Sequence, residues 1–425
     1  MNKVKIGLMG LGNIGRGVWK IFEFNKLDIE KSTGYSFEIS KVLVKDLKKQ
    51  RELDIPVHLL TTDPLDILND KDIEIVVELI GGIEPAKDYI LKAIRNKKHV
   101  VTANKAVIAS HGNELIEAAI QEKVYLQFEG SVAGGIPILD SIKDSLTANK
   151  IDEIMGIVNG TTNYILSKMT NESTDFFSAL KEAQGKGYAE ADPTSDVEGY
   201  DASYKLSILS SLAFGTQLPV SAIYREGITK ITPIDIEYAR ELGYVIKLLA
   251  IGKQKKDCVE LRVHPTLIPV SHPLATIQDA FNGIFIRGNA VGDLMYYGKG
   301  AGDLPTGSAV VGNIISIIKK KQCSYIPDFK VNNAIEIQSM DSTICEYYVR
   351  IMVKDIPGVL GRIATEFGKG NVSLSSVIQK GEGEPQVSLV FVTHLTNELN
   401  VQNSLMEILK INEVIEIANV IRVEK

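Results

Sequence analysis

Over the first third of the chain, short apolar runs alternate with stretches of helical period. Runs at 4–9, 37–44, 73–79, 99–102 and 124–128 have the length of strands. Between them, stretches such as 86–96 and 113–122 repeat apolar residues every three to four positions. That alternation predicts βαβ units and a parallel sheet. Beyond residue 150 the pattern changes: a strand is expected at 151–158, a helix at 164–169, a second helix at 197–213 and a strand at 258–269. A helical run of small and branched residues at 306–320 is expected to pack back on the first domain. After a polar connector at 332–342, strand-like runs at 347–353, 386–394 and 415–423 accompany helical ones at 359–369 and 403–411. They fit a β-α-β-β-α-β order, the ferredoxin-like arrangement.

Length agrees with this tripartite pattern, since 425 residues suggest about three domains. Lys and Arg number 47 against 53 Asp and Glu, a net charge of −6. That balance argues against nucleic-acid binding, which needs clustered cations. An apolar share of 44% with 24% charged residues is that of a globular chain, not a disordered one. Cys258, Cys323 and Cys345 are too scattered for a disulfide framework or a Cys-x-x-Cys metal site, so a reducing cytoplasm is expected. No apolar run approaches the roughly 18 residues of a membrane-spanning helix. The apolar N-terminus runs into Gly10, Gly12 and Gly15 without a small-residue cleavage site, so it reads as a first strand rather than a signal peptide.

The strongest local signal is Gly10-Leu11-Gly12-Asn13-Ile14-Gly15, directly after a strand and opening a helix. The first glycine permits the tight turn, the second admits a pyrophosphate and the third lets helix and strand pack closely. The phosphates then meet the positive helix N-terminus. At the end of the second strand an NAD site expects an acidic residue, whereas Lys45 stands here with Asp46 next to it. The lysine favours NADP, and NAD stays open. Ligands of open α/β sheets bind beyond the carboxyl ends of the strands. Glu78-Leu79-Ile80-Gly81-Gly82 and Val101-Thr102-Ala103-Asn104-Lys105 both end there, and Lys105 brings an ammonium towards the nicotinamide end.

A second polar constellation runs from Gly187 to Lys205. Glu190 and Asp192 sit in a turn-rich loop, and Asp196, Asp201 and Lys205 follow. Asp201 and Lys205, four apart, share a face of a helix. Leu206, Ile208, Leu209 and Leu212 make that helix apolar enough to bury Lys205. A buried lysine needs a carboxylate partner and becomes a ready proton donor. Glu190, Asp196 and Asp201 can also hold the ammonium of an amino-acid substrate, so reduction of a small zwitterion is the expected chemistry.

Together these motifs resemble homoserine dehydrogenase. The likeness is carried by the glycine loop, by Thr102-Ala103-Asn104-Lys105-Ala106 and by Glu129-Gly130-Ser131-Val132-Ala133-Gly134-Gly135-Ile136-Pro137. It continues through Asn159-Gly160-Thr161-Thr162-Asn163-Tyr164, the Gly187–Lys205 segment and Gly300-Ala301-Gly302-Asp303. Lys354-Asp355-Ile356-Pro357-Gly358-Val359-Leu360-Gly361-Arg362 resembles the strand–loop–helix signature of an ACT domain. The resemblance implies an α/β chain of three parts. They are a Rossmann-type dinucleotide-binding domain at 1–148 and 305–325, an α+β substrate-binding and dimerisation domain at 149–304, and a ferredoxin-like ACT domain at 345–425. It implies NAD(P)H-dependent reduction of L-aspartate 4-semialdehyde to L-homoserine in threonine, methionine and isoleucine biosynthesis, by a monofunctional enzyme.

By the same resemblance Lys205 donates the proton and Lys105 is a second active-site lysine. Glu190 grips the substrate amine, with Asp196 and Asp201 shaping its site. Gly10, Gly12, Asn13, Ile14, Gly15, Lys45, Ile80, Gly81, Thr102, Lys105, Gly187 and Gly302 are implied at the cofactor. A sodium ion is implied at Glu129 with the carbonyls of Val132, Gly134 and Ile136. The ACT domain implies threonine as an effector, or a role in assembly alone, and a homodimer or higher homo-oligomer. Neither nucleic acid nor membrane enters the picture.

Two other readings fit less well. An acylating semialdehyde dehydrogenase needs an activated cysteine near the nicotinamide, and the cofactor domain contains none. A metabolite sensor without turnover would not need Lys105, Glu190, Asp201 and Lys205 together. Six scattered histidines lack the His-Glu-x-x-His spacing of a zinc hydrolase.

Overall fold

The strand Asn2–Met9 carries Ile6, Leu8 and Met9 with no exposed surface, so it must be covered on both sides. Burial on both faces marks the centre of a parallel sheet. The computed structural model describes residues 2–321, 325, 335–380 and 385–425. Cys323, residues 322–324 at the end of the predicted cofactor domain and 332–334 of the expected connector lie outside them. The chain divides into two units, the first comprising Met1–Ile151, Tyr204–Ala222 and Ile286–Ala334.

In the first unit six parallel strands are ordered Leu60–Thr61, Tyr35–Leu43, Asn2–Met9, Ile73–Glu78, His99–Thr102 and Leu126–Gln127. Numbered along the chain this order is 3-2-1-4-5-6, that of doubly wound dinucleotide-binding sheets. Helices Asn13–Phe24, Ala86–Arg95 and Lys105–Glu122 connect the strands. The helix Asp303–Lys321 joins the same core, where Val310, Ile314 and Ile317 pack with Val4, Ile6, Leu8 and Val77. The expected run at 124–128 shortens to Leu126–Gln127. The pair Leu60–Thr61 was not foreseen, because two residues carry no periodicity.

The second unit comprises Asp152–Ser203, Ile223–Phe285 and Ile335–Lys425. Its sheet runs through Ile151–Ile157, Tyr244–Gln254, Cys258–Pro269, Val414–Val423, Ile344–Lys354, Gln386–Thr393 and Leu374–Lys380. The last four strands, with helices Val359–Lys369 and Glu398–Ile408, complete the β-α-β-β-α-β unit anticipated at the C-terminus. Alternation along Ile344–Lys354 sends Tyr347, Val349 and Ile351 onto Ile363, Phe367 and Ile408. Tyr348 and Arg350 project the other way, onto the helix Pro233–Glu241.

There Asp235, wholly buried, gathers four side chains. It accepts from Arg350 Nε at 2.7 Å, Tyr348 Oη at 3.0 Å, Asn419 Nδ2 at 2.9 Å and Thr232 Oγ1 at 2.7 Å. Nearby, Val414–Val423 pairs in parallel with Cys258–Pro269 through Thr266–Arg422 and Leu267–Val423, so the ferredoxin-like sheet continues into the middle one. Buried charges follow this join. Arg422 holds Glu398 at 2.6 Å and Glu226 at 2.6 Å, while Glu424 accepts from Arg262 and, at 2.6 Å, from Lys253.

Two expectations change here. The single helix at 197–213 is two, Thr194–Val197 and Tyr200–Phe214, because Gly199 between them adopts φ +78° and ends the first turn. The strand Tyr244–Gln254 is new, its near-continuous apolar run being equally compatible with a buried helix.

Candidate active site

The glycine loop is built as its sequence requires. Gly10 adopts φ +107°, and a Cβ there would lie 2.6 Å from the Leu79 carbonyl oxygen. A Cβ on Gly15 would lie 2.3 Å from the Gly10 carbonyl oxygen, so both positions exclude a side chain. Gly12 differs: nothing lies within 4 Å of where its Cβ would stand. It is also the N-cap of Asn13–Phe24 and lends no side chain to the cap, so the first-turn N–H groups remain available to an anion. A nicotinamide dinucleotide fits that open cradle.

The loop borders a cleft of about 810 Å³ in the first unit, lined by Gly10, Gly12, Asn13, Lys45, Ile80 and Gly81 among others. Ile14 points away and packs against the sheet core. Glu78, at the end of its strand and wholly buried, organises the neighbouring strand ends. It accepts from the Ile80 N–H at 2.7 Å and from Thr102 Oγ1 at 2.7 Å, and Thr102 Oγ1 in turn accepts from the Asn104 N–H at 3.0 Å. Asn104 Nδ2 reaches the Gly82 carbonyl at 2.7 Å, while its Oδ1 caps the helix Lys105–Glu122. Lys105 is therefore the first residue of a firmly capped helix. Sequence reasoning missed Glu78 as a site residue. The available signal was a carboxylate closing the apolar run Ile75-Val76-Val77.

Lys205 belongs to the same unit and is 9% exposed, as the apolar run after it predicted. Its helix, Tyr200–Phe214, also carries Asp201 four residues earlier. Glu129, Val132, Gly134, Ile136 and Gly302 lie in this unit too. Glu129 is 2% exposed, and its carboxylate accepts from the Leu139 N–H at 2.9 Å and the Asp140 N–H at 2.6 Å. Burial and the neighbouring Asp140 charge push its pKa up to about 7. Asp140 is itself paired with Lys143 at 2.8 Å, so a cation here would answer to the buried Glu129 carboxylate. The turn beside it has Ala133 and Gly134 both at positive φ. Among the described residues no three His, Cys, Asp or Glu side chains gather as a metal site, so carbonyl oxygens would have to supply the remaining ligands.

The second unit holds Gly187, Glu190, Asp196 and Asp201. Asn159 ties two of them together, donating from Nδ2 to Asp196 at 2.6 Å and to Asp201 at 2.8 Å. Its Oδ1 accepts from the Thr162 N–H at 2.8 Å and so caps the helix Gly160–Glu172. Asp201 is buried, Asp196 half-buried and Glu190 exposed. Gly187 and Glu190 lie on the loop after Phe176–Gly185, where Gln184 Nε2 reaches the Glu190 carbonyl at 3.0 Å. Asn159 stood in the sequence motif without a role. Its position between two carboxylates shows what it does.

Family profiles match in the same order as these elements. The homoserine dehydrogenase NAD-binding domain matches residues 10–129, homoserine dehydrogenase matches 137–315 and the ACT domain matches 347–413. Such a sheet, glycine loop and cleft define an NAD(P)-dependent oxidoreductase, here one acting on a CH–OH group. A homoserine dehydrogenase of Synechocystis is 44% identical over 99% of this chain and 99% of its own. One of Bacillus subtilis is 40% identical over 100% and 99%. The crystal structure of a homoserine dehydrogenase from Thiobacillus denitrificans superposes with a TM-score of 0.94 at 40% identity, covering 100% of this chain and 99% of that one. A hyperthermophilic archaeal homoserine dehydrogenase in complex with NADPH gives 0.63 at 26% identity, over 75% and 98%. The chain belongs to the homoserine dehydrogenase family.

Proposed function

We propose that the chain reduces L-aspartate 4-semialdehyde to L-homoserine, reversibly, with NADPH, and that Lys205 gives the proton. The observation that carries this reading is the burial of Lys205 on the helix that also bears Asp201, itself held by Asn159. A nicotinamide dinucleotide held in the cleft would supply the hydride that the carbonyl carbon accepts. As charge develops on the carbonyl oxygen, the Lys205 ammonium stabilises it and transfers its proton there. Lys105 adds a second ammonium to the field felt by that oxygen. Glu190 holds the substrate ammonium, and Asp196 and Asp201 shape its site. Gly10, Gly12, Asn13, Gly15, Ile80, Gly81 and Thr102 form the cofactor cradle, Ile14 contributes through its backbone alone, and Gly187 and Gly302 also lie against the dinucleotide. The domain division 1–148 with 305–325, 149–304 and 345–425 follows this assignment of roles. The enzyme works in the cytoplasm as a homodimer or larger homo-oligomer, with threonine as effector at the ACT domain.

The test is loss of nicotinamide absorbance on mixing the protein with the semialdehyde and NADPH, repeated with NADH and with added threonine. Turnover with NADPH is expected, and binding of nucleotide without turnover would favour a sensor. Lys45 supports the NADP reading because the competing Asp46 carboxylate is turned onto the Lys48 N–H at 2.8 Å. Lys45→Gln is expected to raise the KM for NADPH about 10-fold and leave that for NADH unchanged, the worth of one charge-assisted hydrogen bond. Equal KM shifts for both nucleotides would remove Lys45 from cofactor choice.

Sodium is assigned to Glu129 with the carbonyls of Val132, Gly134 and Ile136, where it would offset the buried carboxylate. Exchanging sodium for choline is expected to lower the unfolding free energy by about 1–3 kcal/mol. Glu129→Gln should abolish that difference, and a stability indifferent to the cation in the parent protein would refute the assignment.

A further inference from the structure

Arg16 is the first residue past the glycine loop, on the first turn and a half of the helix Asn13–Phe24, and its side chain lines the cofactor cleft. Its guanidinium is held on two sides. Nη2 donates to Asn13 Oδ1 at 2.7 Å, and Nη1 pairs with Glu52 at 3.1 Å. Glu52 belongs to the loop after the second strand, which also brings Lys45, Asp46, Lys49 and Arg51 to the cleft. The Arg16–Glu52 pair thus bridges from the phosphate-binding loop to the segment where a dinucleotide fold receives the adenosine ribose.

The other groups of that loop are unequally committed. Arg51 is turned inward as a staple, donating to the backbone carbonyls of Lys49 at 2.7 Å and of Asp46. Asp46 is occupied by the Lys48 N–H. The Arg16–Glu52 pair, in direct contact, is instead open to solvent on the glutamate side, with Arg16 about one-third and Glu52 four-fifths exposed. An exposed ion pair contributes little to stability and exchanges readily. A phosphate dianion offers the guanidinium a bidentate partner of higher charge than a carboxylate.

We infer that Arg16 is a specificity-determining residue for the ribose 2′-phosphate, with Glu52 as the resting counter-ion that the phosphate displaces. The inference rests on the NADP reading above and deepens it. Lys45 contributes fixed positive charge, whereas Arg16 forms a latch. It is shut on Glu52 in the free protein, and the phosphomonoester that distinguishes NADPH from NADH draws it over. Glu52 therefore taxes NADPH binding, because its attraction to Arg16 must be given up, and removing its charge tightens the complex.

Trp19 is the single tryptophan of the chain and sits on the same helix, so quenching of its fluorescence reports binding without turnover. Glu52→Gln is expected to lower the Kd for NADPH about 5-fold and leave that for NADH within about 2-fold, a surface charge effect. Arg16→Gln should raise the Kd for NADPH about 10-fold, again with little change for NADH. In the Arg16→Gln background the Glu52 substitution should have no further effect, since the latch no longer exists. The inference is overturned if Glu52→Gln leaves NADPH binding at the parent value, if NADH responds equally, or if the two substitutions act additively. Failure of the parent protein to bind either dinucleotide would instead remove the cofactor reading beneath it, and a parent preference for NADH would remove the 2′-phosphate.

Discussion

Lys205→Ala is expected to lower kcat by about 10³-fold, in the range general-acid groups contribute, while the Kd for NADPH stays within about twofold. On the proposed role the side chain would act on charge that develops only as hydride arrives, and an interaction confined to the transition state changes kcat without changing cofactor affinity. The position is 9% exposed, so the variant's melting behaviour must be compared with the parent's. Lys205→Arg supplies a control of similar volume. Its guanidinium keeps a positive charge but holds its proton at any working pH, so it should restore folding and part of the electrostatic stabilisation without restoring proton transfer. Stopped-flow turnover and fluorescence binding on the same preparations settle the matter. Near-parental kcat in Lys205→Ala would pass the proton to Lys105 or to water.

Asp235→Ala is expected to cost about 3–5 kcal/mol of stability in the second unit, the typical consequence of stripping one partner from a buried ion pair. The carboxylate has no exposed surface and Arg350 is 5% exposed, so the guanidinium left behind could recover neither a partner nor full hydration. Tyr348 and Asn419 would lose an acceptor in the same step, and the capping box with Thr232 would open. Opening the cap alone is worth about 1 kcal/mol. The double substitution Asp235→Ala with Arg350→Met should recover much of the loss, because it removes the stranded charge. Urea unfolding measures both. A single variant within about 1 kcal/mol of the parent would show that water or a rearranged side chain replaces Asp235.

The elements most legible in the sequence are those fixed by local backbone demands. Gly10 and Gly15 stand where any Cβ would strike a carbonyl, and that steric requirement is written in the residue type itself. Asn104 and Asn159 cap the helices their motifs open. The helix Val359–Lys369 and the strand Cys258–Pro269 fall on their expected bounds because period and flanking residues agree. Asp235 was invisible for the opposite reason: its partner Arg350 is 115 positions away, and no local pattern encodes that meeting. Glu78 was hidden by company, as a carboxylate among Val76, Val77 and Leu79 in a strand read only for its apolar content. The broken helix at Gly199 shows a third limit. A lone glycine in a helical stretch is tolerated or terminating depending on what surrounds it, here Arg225 and Val263 from a distant part of the chain.

The join between the C-terminal strand and the middle sheet bears on how this enzyme can be engineered. Arg422 reaches Glu226, and Glu424 just after the strand reaches Arg262 on the adjoining strand of the same sheet, so this segment is a keystone rather than an appendage. Without the Glu424 carboxylate, Arg262 would keep Glu260 at 2.6 Å and Lys253 would keep Glu153 at 3.0 Å, so each cation would lose one of the acids it holds. Changes at this join therefore act on the ferredoxin-like sheet and the middle sheet together.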